Sequence, residues 1–187
     1  MSTNTSKFLS YVLRHAPQSI GLTLDGQGWA EVDDLLAKAN EAGTSIDETT
    51  LRTIVAESDK KRFTLSDDGR RIRAAQGHSV VVDLGQPPVA PPSTLFHGTA
   101  TRFFDVIMLQ GLRAGSRQHV HLSADRATAY AVGQRHGKPA ILIVNSGRMH
   151  ADGYSFYQAD NGVWLTDAVP VAYLALTEND VAGGDGK

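Results

Sequence analysis

Cysteine is absent from the 187 residues. That removes disulfides, thiolate nucleophiles and every zinc site built on thiolates, and it suits a chain expected to be cytoplasmic. No run of apolar residues is long enough to span a bilayer. The opening Met1-Ser2-Thr3-Asn4-Thr5 lacks the apolar core of a secretory signal. Excess charge of one sign is also missing: 18 Lys and Arg face 20 Asp and Glu, for a net charge of -2. Bulk electrostatics therefore give no argument for nucleic-acid binding. Internal repeats are lacking too. What remains is a chain long enough for one good core or two small domains.

Charge is not evenly spread. Lys60, Lys61, Arg62, Arg70, Arg71 and Arg73 crowd one short stretch. Ahead of it, residues 7–15 read as a helix with Phe8, Leu9, Val12 and Leu13 on one side, Arg14 and His15 in its last turn and Pro17 beyond. Residues 20–24 and 29–30 read as short strands about an Asp25-Gly26 turn, and residues 31–39 as a second helix. Ser45-Ile46-Asp47-Glu48 matches a capping box for a third helix reaching about residue 57. Residues 62–66 and 70–73 form a hairpin about Asp67-Asp68-Gly69. Three helices followed by a basic hairpin is the order of a winged-helix module, an order that nucleic-acid binders share with proteins of other functions.

Pro87, Pro88, Pro91 and Pro92 leave no room for a helix or an interior strand. The segment 84–93 is expected to be an extended, stiff linker between domains at 1–83 and 94–177, with a disordered tail over 178–187. Beyond the linker the spacing predicts a strand at 95–97, a helix over 103–109 closed by Gly111, and a helix from Ala124 to about Arg135 capped by Ser123. Strands are expected at 141–144, 154–157, 163–166 and 171–176. The fold class expected is α+β, with a mostly β second half.

Two clusters in that half carry chemistry. Arg117-Gln118-His119-Val120-His121-Leu122-Ser123 reads as a strand with Val120 and Leu122 on one face and two imidazoles on the other. Phe96-His97-Gly98-Thr99 is a strand end running into small residues. Three chemistries fit His97, His119 and His121. A three-histidine metal site lacks a nearby carboxylate and has Arg117 beside it. Nucleophilic catalysis by Ser123 or Thr99 lacks a nucleophile elbow and a third partner. Anion handling uses Arg117 as a fork, with the amide, small residue and hydroxyl of His97-Gly98-Thr99, and suits a nucleotide better than a metal. Any one of these histidines alone is compatible with a plain core role.

Six blocks, taken together and in order, carry a resemblance. They are Lys7-Phe8-Leu9-Ser10-Tyr11-Val12-Leu13-Arg14-His15, Asp59-Lys60-Lys61-Arg62-Phe63, Gln76-Gly77-His78-Ser79, Phe96-His97-Gly98-Thr99, Arg117-Gln118-His119-Val120-His121-Leu122-Ser123 and Asn161-Gly162-Val163-Trp164-Leu165-Thr166. Over residues 6–176 the chain resembles the tRNA (RNA) 2′-phosphotransferase family. The resemblance implies a winged-helix-like RNA lobe followed by an ADP-ribosyltransferase-like lobe that binds NAD. It implies transfer of an internal RNA 2′-phosphate, of the kind left at a tRNA splice junction, to NAD as co-substrate. The route runs through an RNA-2′-phospho-ADP-ribose intermediate to 2′-OH RNA, nicotinamide and ADP-ribose 1″,2″-cyclic phosphate. The family's essential Arg-His-Arg-Arg set falls on Arg14, His15, Arg62 and Arg117. His97, Gly98, Thr99, His121, Ser123 and Val163 fall on the NAD-binding positions. Val163 stands where many ADP-ribosyltransferases carry a catalytic Glu. Arg52, Lys60, Lys61, Arg70, Arg71 and Arg73 become the expected contacts to flanking RNA phosphates. No metal is expected, nor a membrane, and the chain is expected to be a monomer. ADP-ribosylation of nucleic-acid phosphate ends is the neighbouring activity on such a scaffold. A non-catalytic winged-helix nucleic-acid-binding protein is the alternative of another class. Gln76-Gly77-His78-Ser79 yields no role from sequence.

Overall fold

The computed structural model describes residues 2–176 and divides into two units. The first runs up to Gln86 and takes in Ala159–Asn161; the second holds Pro87–Gln158 and the chain from Gly162. Helices and strands mix in both, so the class is α+β.

Helix α1 (Ser2–Arg14) places Leu9, Val12 and Leu13 on one face, and all three are fully buried. Strand β1 (Ala30–Glu31) leads directly into α2 (Val32–Glu41), which buries Val32, Leu35 and Ala39. Helix α3 (Glu48–Ala56) adds Leu51 and Ile54. Strands β2 (Phe63–Leu65) and β3 (Arg71–Ala74) complete an antiparallel sheet of order β1-β3-β2. Its central Ile72 lies between Ala30 and Leu65 and is fully buried. The strand expected at 20–24 does not form. A 3-10 turn (Pro17–Ile20) precedes it, and Leu22 is buried by packing rather than by strand pairing. The Asp25 carboxylate accepts from the Gln27 and Trp29 amides, so the Asp25-Gly26 turn is held by a side chain. The cap of α3 is Asp47, whose Oδ1 accepts from the Thr50 amide at 2.7 Å, and not Ser45.

The second unit comprises β4 (Leu95–Ala100), α4 (Phe104–Gln110), β5 (Leu112–Arg113), β6 (Val120–Leu122), α5 (Arg126–Gln134), β7 (Pro139–Val144), α6 (Ser146–Ala151), β8 (Tyr157–Gln158), β9 (Trp164–Thr166), β10 (Ala168–Val169) and β11 (Leu174–Leu176). All pairings are antiparallel, in orders β11-β7-β4, β6-β9-β8 and β10-β5. Phe96 and Ser123 exchange both backbone hydrogen bonds, at 2.9 and 2.8 Å, and so join β4 to the chain leaving β6. Leu95, Leu122, Leu142, Val144, Met149 and Phe156 are fully buried at the heart of this unit. Asp125, not Ser123, caps α5, accepting from the Thr128 amide at 2.7 Å. Ser123 is taken up by its pairing with Phe96. Helix α6 is unheralded in the sequence because Met149 is its one long apolar side chain. Residues 154–157 pair only at Tyr157, and residues 171–173 form a 3-10 turn ahead of β11.

The proline-rich segment is tied down. Val89 donates its amide to the Phe156 carbonyl at 2.8 Å, and the Ser146 hydroxyl donates to the Pro92 carbonyl at 2.7 Å. The Gly147 amide donates to the Ser93 carbonyl. The expected tail over 178–187 lies outside the described residues.

Candidate active site

Arg14 and His15 sit where α1 ends, held by residues 76–80. The Arg14 carbonyl, one of the acceptors a helix end leaves over, takes the Ser79 amide at 2.9 Å and the Val80 amide at 3.4 Å. Gly77, at φ +89, lies along the Arg14 side chain, whose Cδ and Nη1 would stand 3.7 Å from any added Cβ. Ser79 Oγ lies 2.9 Å from His15 Nδ1. That bond fixes the ring and makes Nε2 the nitrogen that can exchange a proton with a substrate. The block Gln76-Gly77-His78-Ser79 therefore clasps the helix end that carries Arg14 and His15.

His78 completes the clasp from within. It is buried, with Nε2 facing Gly28 and lacking a hydrogen-bond partner. Burial, with the positive charges of Arg14 and Arg73 and the His15 ring nearby, lowers its pKa to about 4. It is thus a neutral ring at physiological pH, among cations.

Arg62 stands at the mouth of β2. Its amide meets Ser58 Oγ at 3.3 Å and its carbonyl accepts from Ala75. Lys61 before it has φ 42, a left-handed conformation costing a non-glycine residue about 1 kcal/mol or more. The turn bearing Lys60, Lys61 and Arg62 is thus held at some cost. His15 and Arg62 line one cavity of about 580 Å³, together with Lys7, Tyr11, Ser58 and Lys60.

The expected RNA contacts divide. Lys60, Lys61 and Arg70 are exposed. Arg52 is exposed but spans to Glu48 Oε1, with bonds of 2.9 and 2.6 Å. Arg71 is exposed, 3.8 Å from Asp25, with its guanidinium over Trp29. Arg73 differs from the others: it is only 8% exposed and is engaged inside the unit. It donates to the Leu84 carbonyl and to Asp160, and stacks 4.5 Å from the Trp29 centroid. A guanidinium so enclosed is not available to an external phosphate.

In the second unit, the register gathers four of the expected nucleotide-binding residues. His121 lies opposite Leu165, and extending the β6–β9 register by one places Val163 opposite Ser123. Ser123 pairs with Phe96, next to His97. His97 Nδ1 donates to the His121 carbonyl at 2.9 Å. Burial, foremost, lowers the His97 pKa, so the ring is neutral and Nε2 presents a lone pair. The atom His97 offers is therefore an acceptor, suited to a hydroxyl rather than to a phosphate oxygen. Arg117 Nη1 donates to His121 Nδ1 at 2.9 Å, which puts the His121 proton on Nε2. His119 is not on the strand but in the bend before it, beside Tyr157 and 3.6 Å from Asp167.

Two expected residues are tightly packed within the unit. A Cβ on Gly98 would stand 1.7 Å from the Ala129 carbonyl oxygen and 2.9 Å from the Gly133 nitrogen. The close approach that Gly98 permits is thus to α5. Thr99 is buried at 6% exposure. Among the described residues no group of three or more His, Asp or Glu is placed to hold a metal ion, and no helix is long and apolar enough to cross a membrane.

The class of protein follows from comparison. Residues 1–168 match the model of a family of transferases described as "RNA 2'-phosphotransferase, Tpt1 / KptA family". A protein of Agrobacterium fabrum named "Probable RNA 2'-phosphotransferase" is 73% identical over 185 residues, covering 99% of this chain and 100% of the relative. Proteins of the same name from Burkholderia lata and Pseudomonas aeruginosa are 57% and 56% identical, covering 92% and 91% of this chain and 90% and 94% of theirs. The chain belongs to the RNA 2'-phosphotransferase, Tpt1 / KptA family.

Proposed function

We propose that this chain is an NAD-dependent RNA 2′-phosphotransferase, with a winged-helix-like RNA lobe and an ADP-ribosyltransferase-like NAD lobe. The observation that carries the reading is the family match across residues 1–168, with Arg14, His15, Arg62 and Arg117 all present. In this reading the RNA 2′-phosphate attacks the anomeric carbon of the nicotinamide ribose and nicotinamide leaves. The ribose 2″-hydroxyl then attacks phosphorus, the 2′-oxygen of the RNA leaves with a proton, and ADP-ribose 1″,2″-cyclic phosphate is released.

The residues suit those roles. Arg62 and His15 share one cavity, so a phosphate there meets a guanidinium and an imidazole together. Charge-assisted bonds of this kind are worth about 1.5–3 kcal/mol each, and fixed cations matter most where charge builds on phosphoryl oxygens. Ser79 orients His15 to give the leaving 2′-oxygen its proton. For NAD, the donor set supports a nucleotide: His97 Nε2 can accept from a ribose hydroxyl, His121 Nε2–H can donate, and Arg117 is braced against His121. Val163 in place of a carboxylate is sensible for a nucleophile that is already an anion. Such a nucleophile needs no base, and a carboxylate would repel it.

The test is to incubate the protein with NAD⁺ and a short RNA carrying one internal 2′-phosphate, without added metal, and to resolve the products. Loss of the phosphate with release of nicotinamide and the cyclic-phosphate product is expected. Accumulation of RNA-phospho-ADP-ribose would mean a first step without a second. Absence of nicotinamide release would overturn the reading.

A further inference from the structure

We propose that Tyr11 is a stacking platform for the nucleobase beside the 2′-phosphorylated residue, a subsite that rests on the function proposed above. Lys7, Tyr11 and His15 are spaced by four along α1 and its end, so they form one stripe, and all three are exposed. Tyr11 is 53% exposed, far more than a tyrosine that serves a core. Tyr11 stands outside the hydrophobic cluster of the first unit: the opposite face of α1, through Leu9, Val12 and Leu13, supplies its core contacts.

The stripe is one wall of the 580 Å³ cavity; the segment from Glu57 to Arg62 is the other. The lining has the three parts that single-stranded RNA binding uses. Lys7, Lys60 and Arg62 supply cations for the backbone. The ring of Tyr11 supplies a face. Glu57, Ser58 and Asp59 are acceptors placed among those cations. Carboxylates are wrong for phosphate oxygens but right for the N–H groups on a base edge. A cavity built only for a phosphate would not carry two of them. The volume also exceeds what one phosphate fills, and Tyr11 lies one helical turn before His15. The occupant that fits is a base immediately adjoining the phosphate that His15 and Arg62 face.

The experiment reads binding without turnover. An RNA with an internal 2′-phosphate and 2-aminopurine at the adjoining position is titrated with protein in the absence of NAD, and the fluorescence followed. Quenching is expected with the native protein and with Tyr11→Phe and Tyr11→Trp. Tyr11→Ala is expected to lose the quench and to bind roughly 5- to 100-fold more weakly. An abasic site at that position should weaken native binding by a similar factor, with no further loss in Tyr11→Ala. Thermal unfolding of Tyr11→Ala should match the native protein, since the side chain is exposed. Unchanged affinity and quench in Tyr11→Ala would overturn the subsite. The proposed reaction has its own readout: base quenching that depends on Tyr11, with no nicotinamide release when NAD is supplied, would keep the subsite and refute the transferase.

Discussion

Two side chains beside His15 make predictions of different kinds. Ser79 acts on the ring directly, through a 2.9 Å bond to Nδ1. Ser79→Ala should lower kcat about tenfold, because the imidazole loses its fixed orientation. Ser79→Thr should restore kcat, with the melting temperature of Ser79→Ala unchanged; a merely structural role would lower the melting temperature instead. His78 acts through its burial. Its folded pKa of about 4 lies below the ordinary 6.5, so between those values the unfolded chain binds a proton that the folded chain does not. Stability is full above pH 6.5 and falls as the pH drops through that window, by up to about 3 kcal/mol. His97, also lowered, adds in the same direction. Urea unfolding at pH 7 and pH 4.5 should show the loss, and His78→Gln should flatten it. Neither role was legible in the sequence. The block 76–79 stood out, but the partner of Ser79 is 64 positions away and no local pattern encodes it.

At the scale of elements, periodicity found the helices and missed their caps. The apolar stripe of α1 is read correctly because burial of one face dictates it, and α2 and α3 fall where helices are expected. The caps fell to Asp47 and Asp125 because either Ser or Asp can cap, and tertiary pairing had already engaged Ser123. Helix α6 has too little apolar surface to announce itself. Gly98 shows the same limit in the opposite sense. Within Phe96-His97-Gly98-Thr99 it reads as a gap for a ligand, and nothing in the pattern shows that strand β4 also needs it to seat α5. Gly98→Ala would drive a methyl to 1.7 Å from a backbone oxygen, and backbone cannot swing aside. The cost should be at least about 3 kcal/mol, more than typical overpacking. Thermal unfolding should show the second unit melting early or not folding. A variant that melts like the native protein would show that α5 can retreat from β4.

For the whole molecule, the feature that no reading along the chain exposes is that the first unit is discontinuous. The chain leaves it at Gln86 and supplies Ala159–Asn161 to it much later. Asp160 is the reason this matters. Its carboxylate accepts from Thr64 Oγ1 at 2.9 Å, from Arg73 Nη2 at 3.1 Å and from Gln86 Nε2 at 3.0 Å. Arg73 is too enclosed to recover its hydration if that partner goes, and the Trp29 face and the Leu84 carbonyl do not neutralise it. The basic hairpin that reads as a set of RNA contacts thus contains one arginine engaged within the fold, and its counter-charge comes from Asp160, distant along the chain but part of the same unit. Asp160→Ala should therefore destabilise the first unit by about 2–3 kcal/mol, the cost of an uncompensated, largely buried cation. Asp160→Asn should cost less, because the amide oxygen still accepts although the charge is lost. A fragment ending at Gln86 should be weakened as Asp160→Ala is, since it too lacks the carboxylate. Denaturant unfolding of the full chain, the two variants and the fragment checks the order. If the fragment and Asp160→Ala were as stable as the full chain, Arg73 would have found another partner or opened to water.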